Sequence, residues 1–176
     1  MKSYLVLTLI GKDQPGLVES LAQIVAQHHG NWLESNMSRL AGQFAGILRV
    51  SVDQDKADEL VTALDALSPK LRLVVQRPAP GDDGSEASAP RQAVRLSLVG
   101  NDRPGIIRDI SGALARNQVN VDDLETECSP APMASDMLFK ANALLHVPAG
   151  MDIDTLRAEI EKLADDLIVD ITPAED

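Results

Sequence analysis

The stretch LIGKDQPGLVESL at residues 9–21 is repeated 89 residues later as LVGNDRPGIIRDI at residues 98–110. In both copies a Gly-x-Asp-x-Pro-Gly turn joins an apolar run to an amphipathic run. Four turn residues pair at this offset, namely Gly11 with Gly100, Asp13 with Asp102, Pro15 with Pro104, and Gly16 with Gly105. Self-similarity at a fixed spacing indicates that the chain consists of two copies of one structural unit.

The repeat continues beyond the turn and then changes its offset. Asn31 matches Asn120 at the offset of 89, whereas Val52 matches Val147 at an offset of 95. The difference, 95 minus 89, means that the second copy carries six extra residues, which fall near the sequence CSPAPM. We therefore expect an insertion in the second strand of the second copy.

Between the two copies lies RPAPGDDGSEASAPR, residues 77–91, which has three prolines, two glycines and no large apolar side chain. This composition is typical of a flexible linker. We therefore predict a first domain at residues 1–77, a linker at 78–90 and a second domain at 91–176.

Hydrophobic periodicity predicts the same order of elements in both copies. Apolar or alternating runs predict strands, and apolar residues spaced three and four apart predict a helix after the first strand and another before the last. The predicted strands are residues 4–10, 31–40, 43–52 and 71–76 in the first copy and 93–99, 119–128, 136–147 and 167–172 in the second. The order βαββαβ predicts an α+β protein of two ferredoxin-like domains, each an antiparallel sheet with both helices on one face.

The turn itself has a structural interpretation and a functional one. We expect its first glycine to adopt backbone angles that other residues avoid, its aspartate to cap the following helix, and its proline to lie in the first helical turn. The second glycine has no Cβ and lets another group approach the backbone. Alternatively, the free N–H groups at the helix start form a seat for the carboxylate of a small polar ligand.

The turn, the runs GNWLESNM and VNVDDLET that open the second strand, and the βαββαβ order resemble the ACT domain, a small regulatory module that binds amino acids. Two such domains without a catalytic domain resemble the glycine cleavage system transcriptional repressor family. The resemblance implies a small amino acid ligand such as glycine or serine, a protein partner such as a DNA-binding regulator, a homo-oligomer and no cofactor.

In that family the ligand lies between the turn and the second strand of a paired domain. The resemblance therefore implies the ligand-binding residues Asp13, Gln14, Gly16, Leu17, Val18 and Asn31 in the first copy and Asn101, Asp102, Arg103, Gly105, Ile106, Ile107 and Asn120 in the second. The copies are not equivalent, because Arg103 can pair with a carboxylate where Gln14 cannot. Val119 also replaces Gly30, so a working site could survive in one copy only.

Composition restricts the other functions. The formal net charge of −11 repels phosphate backbones and anionic membranes, and no basic run or helix-turn-helix pattern offsets it. We therefore expect no direct contact with nucleic acid or membrane. The single cysteine, Cys128, excludes an internal disulfide and is typical of a reducing compartment, so we expect a cytoplasmic protein with a packed thiol.

No motif indicates catalysis or a metal site. His28 and His29 are adjacent at the predicted end of a helix, where histidine is favourable, and adjacent helical residues point in different directions. Together with the absence of such a motif, the resemblance to ACT domains implies a non-enzymatic, amino-acid-responsive regulator that modulates a transcription regulator of amino-acid metabolism by protein–protein contact. The alternatives are an interaction module without a working ligand site and a regulatory subunit of a metabolic enzyme.

Overall fold

The computed structural model describes residues 1–79, 90–132 and 135–174, and the chain divides into two compact units, Met1–Glu86 and Ala87–Asp176. The first unit contains β1 (Lys2–Lys12), α1 (Leu17–Gln27), β2 (Asn31–Leu40), β3 (Gln43–Asp53), a 3-10 turn (Gln54–Lys56), α2 (Ala57–Asp65) and β4 (Arg72–Gln76). The second contains β5 (Arg91–Asn101), α3 (Ile106–Arg116), β6 (Asn120–Pro130), β7 (Met137–Pro148), α4 (Ile153–Glu161) and β8 (Ile168–Pro173). The predicted βαββαβ order is confirmed in both units.

Each unit has one four-stranded antiparallel sheet. The strand orders are β2-β3-β1-β4 and β6-β7-β5-β8, so the first and third strands of each unit are central. Both helices of a unit cover one face of its sheet, as the ferredoxin-like arrangement requires. None of the described helices is long and apolar enough to cross a membrane.

The strand register confirms the two offsets read from the sequence. Lys2 lies opposite Asp53 in the first sheet, and Arg91 lies opposite Pro148 in the second. The central pair of strands is therefore the same in both units once the six extra residues are allowed for. Those residues lengthen the hairpin between β6 and β7, where residues 133–134 lie outside the described residues.

A β-bulge interrupts the second strand of both units at the same repeat position. The register shifts between Trp32 and Glu34 in β2 and between Val121 and Asp123 in β6. A bulge on an edge strand bends it and redirects its side chains. The sequence contained no signal for this feature, which the pairing pattern alone reveals.

The core of each unit consists of aliphatic side chains between sheet and helices. In β1, Leu5, Leu7 and Leu9 are buried, whereas Ile10 on the opposite face is 46% exposed. A buried leucine contributes roughly 2 kcal/mol relative to an exposed one. The helix residues that meet these strands are Leu17, Leu21 and Val25 in α1, and Ile106, Ile110, Ala113 and Leu114 in α3.

The second glycine of each turn is required by the backbone. Gly16 and Gly105 have φ angles of 87° and 85° and immediately precede α1 and α3. A residue with a Cβ adopts this left-handed conformation at a cost. Pro15 and Pro104 lie in the turn before these glycines, so the prediction that they occupy the first helical turn is wrong.

The first glycine of each turn is required by packing. Gly11 and Gly100 lie in strands and do not adopt positive φ angles, so the predicted unusual backbone is wrong for them. A Cβ at Gly11 would overlap the carbonyl oxygen of Lys70, and one at Gly100 would lie 2.6 Å from Leu167 Cδ2. These glycines therefore let the segment after the second helix pack directly on the central strand.

The predicted linker falls mostly on residues that lie outside the described ones. The division between the two units is at residues 86 and 87, within the predicted linker at 78–90. The domain limits of 1–77 and 91–176 remain a prediction.

Replacing Gly11 with alanine should destabilise the first unit by about 1–3 kcal/mol, because the added methyl group overlaps a backbone carbonyl that cannot rotate away. Urea denaturation followed by the fluorescence of Trp32, the single tryptophan, reports on this unit alone. Gly112→Ala in α3 is the control: its Cβ would meet only Arg116 Nη1, at 3.4 Å. That substitution should raise stability by about 0.5–1 kcal/mol by circular dichroism, and an unchanged Gly11→Ala protein would contradict the packing role.

Candidate ligand site at the glycine turns

A depression of about 400 Å³ lies over the first glycine turn. We call it the first seat; it is lined by Asp13, Gln14, Gly16, Leu17, Val18, Glu19 and Phe44. The loop after β1 supplies Asp13, Gln14 and Gly16, and the first turn of α1 supplies the next three residues. Strand β3 supplies Phe44, which pairs with Gly11. Five of the six residues that the resemblance implied for the first copy are therefore brought together.

The first seat offers hydrogen-bond donors at its floor. The N–H groups of the first turn of α1 have no partner within the helix, and the positive end of the helix dipole favours an anion there. At Gly16 no atom lies within 4 Å of the position that a Cβ would take. The backbone is therefore open to a small anionic group such as a carboxylate.

The walls of the first seat combine acidic and apolar groups. Among the described residues, no hydrogen bond joins the Asp13 carboxylate to an N–H group of α1, so the predicted capping by Asp13 is wrong. Its carboxylate instead lies 3.5 Å from Arg39 Nη1, and its N–H donates to the Gly42 carbonyl at 2.9 Å. Val18 is 46% exposed at the rim, which leaves an apolar surface beside the acidic groups.

The second turn has the same backbone and different side chains. By the same offsets we define the second seat as Asp102, Arg103, Gly105, Ile106, Ile107, Arg108 and Phe139. Within the described ranges, no N–H group of α3 donates to the Asp102 carboxylate either, so the predicted capping by Asp102 is also wrong. Asp109 in the first turn of α3 pairs with Arg103 at 2.8 Å and with Arg108 at 2.9 Å. Hydrogen bonds from Arg103 and then Arg108 lower the pKa of Asp109 below its usual value.

Cys128 occupies the position of Arg39 in the second unit, at the offset of 89. The thiol is exposed, so the predicted packed thiol is wrong. Partial shielding of the sulfur from water, followed by the negative charge of Asp102 and a hydrogen bond with its carboxylate, raises the pKa of Cys128. The turn aspartate thus faces a cation in the first unit and a protonated thiol in the second.

The two predicted asparagines of the second strands lie far from the turns of their own units. Asn31 pairs with Ser51 in the row of Tyr4, seven residues along the sheet from Gly11. Seven strand residues span roughly 24 Å. Asn31 therefore cannot reach a ligand in the first seat of its own unit.

Asn120 has the equivalent position in the second sheet, in the row of Ala93. Its Nδ2 donates to Asp122 Oδ1 at 2.8 Å, and Asp122 Oδ2 lies 2.7 Å from His146 Nδ1. Asn101, the last residue of β5, donates its N–H to Asp166 Oδ2 at 2.6 Å. Within the described ranges, neither side chain makes a hydrogen bond to a residue of the second seat.

Sequence reasoning did not place seven residues at the two turns. The missed residues are Glu19, Arg39 and Phe44 in the first unit and Arg108, Asp109, Cys128 and Phe139 in the second. Phe44 and Phe139 are the only phenylalanines of the chain and match at the offset of 95, a signal that could have found them. The other positions could have been found by extending the offset of 89 to every charged residue near the turn. In the described part of the chain, no group of three or more His, Cys, Asp or Glu side chains could hold a metal ion.

Replacing Asp102 with asparagine should lower the pKa of Cys128 and increase its rate of alkylation by iodoacetamide at pH 8, because the thiolate is the reactive form. In the wild type, the rate should reach half its maximum at a higher pH than for free cysteine. Asp123→Asn, which removes a carboxylate from the same strand as Cys128, is the charge-matched control and should leave the rate unchanged. Equal rates for wild type and Asp102→Asn would contradict the assigned contact.

Comparison with known proteins identifies the units. Residues 3–77 and residues 94–165 each match the ACT domain. A UPF0237 protein of Methanocaldococcus jannaschii is 34% identical over 79 residues, which are 44% of this chain and 81% of that protein.

Two crystal structures have the same fold over the whole chain. An unknown protein from Galdieria sulphuraria has a TM-score of 0.86 at 24% identity, over 99% of this chain and 100% of that one. A candidate glycine cleavage system transcriptional repressor has a TM-score of 0.68 at 17% identity, over 99% of each chain. ACT domains are regulatory modules rather than catalytic ones. The chain belongs to the ACT-domain family and carries two ACT domains in tandem.

Proposed function

We propose that this protein is a non-enzymatic regulator that binds a small amino acid, such as glycine or serine, and transmits the signal by contact with another protein. The observation that carries the proposal is the first seat, an open depression at a helix N-terminus in an ACT domain. The protein partner would be a DNA-binding regulator of amino-acid metabolism, and the working assembly a cytoplasmic homo-oligomer.

The first seat fits both charges of an amino acid. The carboxylate would accept hydrogen bonds from the free N–H groups at the start of α1, which the helix dipole also favours. The ammonium group would donate to Glu19 and Asp13, which line the same depression. With a volume of about 400 Å³, most of it open to solvent, the depression suits a small ligand.

A regulator needs a ligand that binds two states with different affinity. Bound at the turn, an amino acid would bridge the loop after β1, the start of α1 and Phe44 of β3, which line the same depression. The ligand would therefore favour whichever arrangement keeps these parts together. A partner that contacts this end of the unit would sense the change.

Protein contact is supported by the exposed face of the first sheet. Ile10, Ile47 and Val74 project from the side opposite the helices and are 46%, 55% and 59% exposed. Ile47 and Val74 flank Thr8 in one row across β3, β1 and β4, and Ile10 lies in the next row on the same face, so the three apolar side chains cluster around Thr8. Contiguous exposed apolar groups mark surfaces that bind other proteins, which also fits the alternative of a plain interaction module.

Amino acids should raise the melting temperature of the protein if the first seat works. A ligand at 100 times its Kd adds about 2.7 kcal/mol of stability, which corresponds to roughly 10–20 °C for a domain of this size. A thermal-shift screen with the twenty amino acids measures this. Gly16→Leu should abolish the response because the side chain fills the seat.

Gly150→Leu is the matched control for that variant. Gly150 has a φ of 83° and open space around it, like Gly16, but it lies between β7 and α4. The Gly150→Leu substitution should therefore cause the same backbone strain as Gly16→Leu, and the variant should still be stabilised by the amino acid. The absence of a shift with every amino acid at millimolar concentration would favour the interaction module instead.

Purified protein should not bind duplex DNA in a mobility-shift assay, even at low salt where electrostatic attraction is strongest. Asp and Glu residues number 27 against 16 Lys and Arg, and each described helix buries one face on its own sheet. Tight, salt-sensitive binding without any partner would contradict regulation by protein contact. When this protein is added to a partner regulator that does bind DNA, the electrophoretic mobility of the regulator–DNA complex should change.

A further inference from the structure

Between the turn aspartate and the first turn of the helix, three positions carry different charges in the two units. The differing pairs are Gln14 with Arg103, Glu19 with Arg108, and Ser20 with Asp109. The backbone of the two turns is nevertheless the same, since the φ angles of Gly16 and Gly105 differ by only 2° (87° and 85°). The side chains alone therefore decide whether the two seats bind the same ligand.

In the second unit these three residues bind one another. Arg103 Nη1 lies 2.8 Å from Asp109 Oδ2, while Arg108 Nη2 and Nε lie 2.9 Å and 3.0 Å from Asp109 Oδ1. We call Arg103, Arg108 and Asp109 the latch. Both carboxylate oxygens of Asp109 are used, and both guanidinium groups are engaged.

The latch also covers the second turn. Arg108 Nη2 lies 3.1 Å from the Cβ position of Gly105, whereas Gly16 has nothing within 4 Å. In the first unit the Ser20 hydroxyl donates to the Gly16 carbonyl at 2.8 Å and adds no charge. A carboxylate can therefore reach the first turn freely but meets a closed ion cluster at the second.

Asp109 acts as a competing carboxylate that is held in place by the chain. The Asp109 carboxylate, tethered this closely, has an effective concentration in the millimolar range or above. The concentration of a free amino acid must exceed this value for its carboxylate to displace Asp109 from Arg103. Arg108 would further repel an ammonium group at the place where Glu19 would attract it. Both ends of an amino acid are thus disfavoured at the second seat.

We propose that Asp109 closes the second seat, so that a small amino acid binds at the first seat only. This inference rests on the proposed function and specifies which of its two candidate sites responds. Asp109 and Arg108 are then the residues that determine the difference in specificity between the two ACT domains.

Titration of 15N-labelled protein with glycine or serine, followed by NMR, tests the inference because the Gly16 and Gly105 amides report separately. In the wild type the Gly16 amide should shift and the Gly105 amide should not. In the Arg108→Glu, Asp109→Ser double variant, which copies Glu19 and Ser20, Gly105 should respond at concentrations at least about 10-fold lower than in the wild type.

Asp154→Ser is the matched control, because it removes another Arg–Asp pair near a helix start in the same unit, that with Arg157 at 2.9 Å. It should leave Gly105 unresponsive. A wild-type Gly105 shift at the concentration that shifts Gly16 would overturn the inference. So would an unresponsive double variant whose spectrum shows both units folded.

If neither amide responds to amino acids in the wild type, the proposed function fails, and inorganic phosphate decides the inference. Asp109→Ser frees two guanidinium groups beside a helix N-terminus, a combination that binds oxyanions. Gly105 should then respond to phosphate at a concentration about 10-fold lower in Asp109→Ser than in the wild type. Equal responses of the Gly105 amide in the wild type and in Asp109→Ser would show that Asp109 does not block the second seat.

Discussion

The left-handed glycine before the first helix of each unit is the constraint on which the rest of the structure depends. With φ near 85°, the chain turns sharply from the central strand into the helix. The helix then lies across the sheet, with its apolar stripe over the buried leucines of that strand. The same turn leaves the first N–H groups of the helix facing solvent. One backbone feature thus both places the helix and leaves hydrogen-bond donors at this end of the domain, where the proposed ligand would bind.

Much of the fold could be predicted from the sequence because the chain repeats itself. The offsets of 89 and 95 reappear in the strand register, and the hydrophobic periods gave the correct order of elements. The roles of the turn residues could not be predicted. Gly11 meets Lys70, which follows the second helix, and Asp13 meets Arg39 on the edge strand. Both contacts depend on strand pairing that a local pattern does not encode.

The candidate site shows the same limit. Local sequence was sufficient to group the turn residues with the start of the helix, because they are neighbours along the chain. Phe44 and Arg39 join them only through the pairing of β3 and β2. Asn31, although close in sequence to the end of α1, lies at the far end of the sheet. Proximity along the chain therefore predicted the turn and helix residues of the first seat. Strand pairing determined that Phe44 and Arg39 join them.

The two glycine turns have nearly the same backbone conformation, and the side chains around them differ. The central proposal is that the chain senses one small amino acid through its first domain. Equilibrium dialysis of the full chain against radiolabelled glycine and serine measures the number bound. One amino acid bound per chain at saturation is the expected value, because the first seat is open and the second contains its own carboxylate. Two per chain, or none, would contradict the proposal.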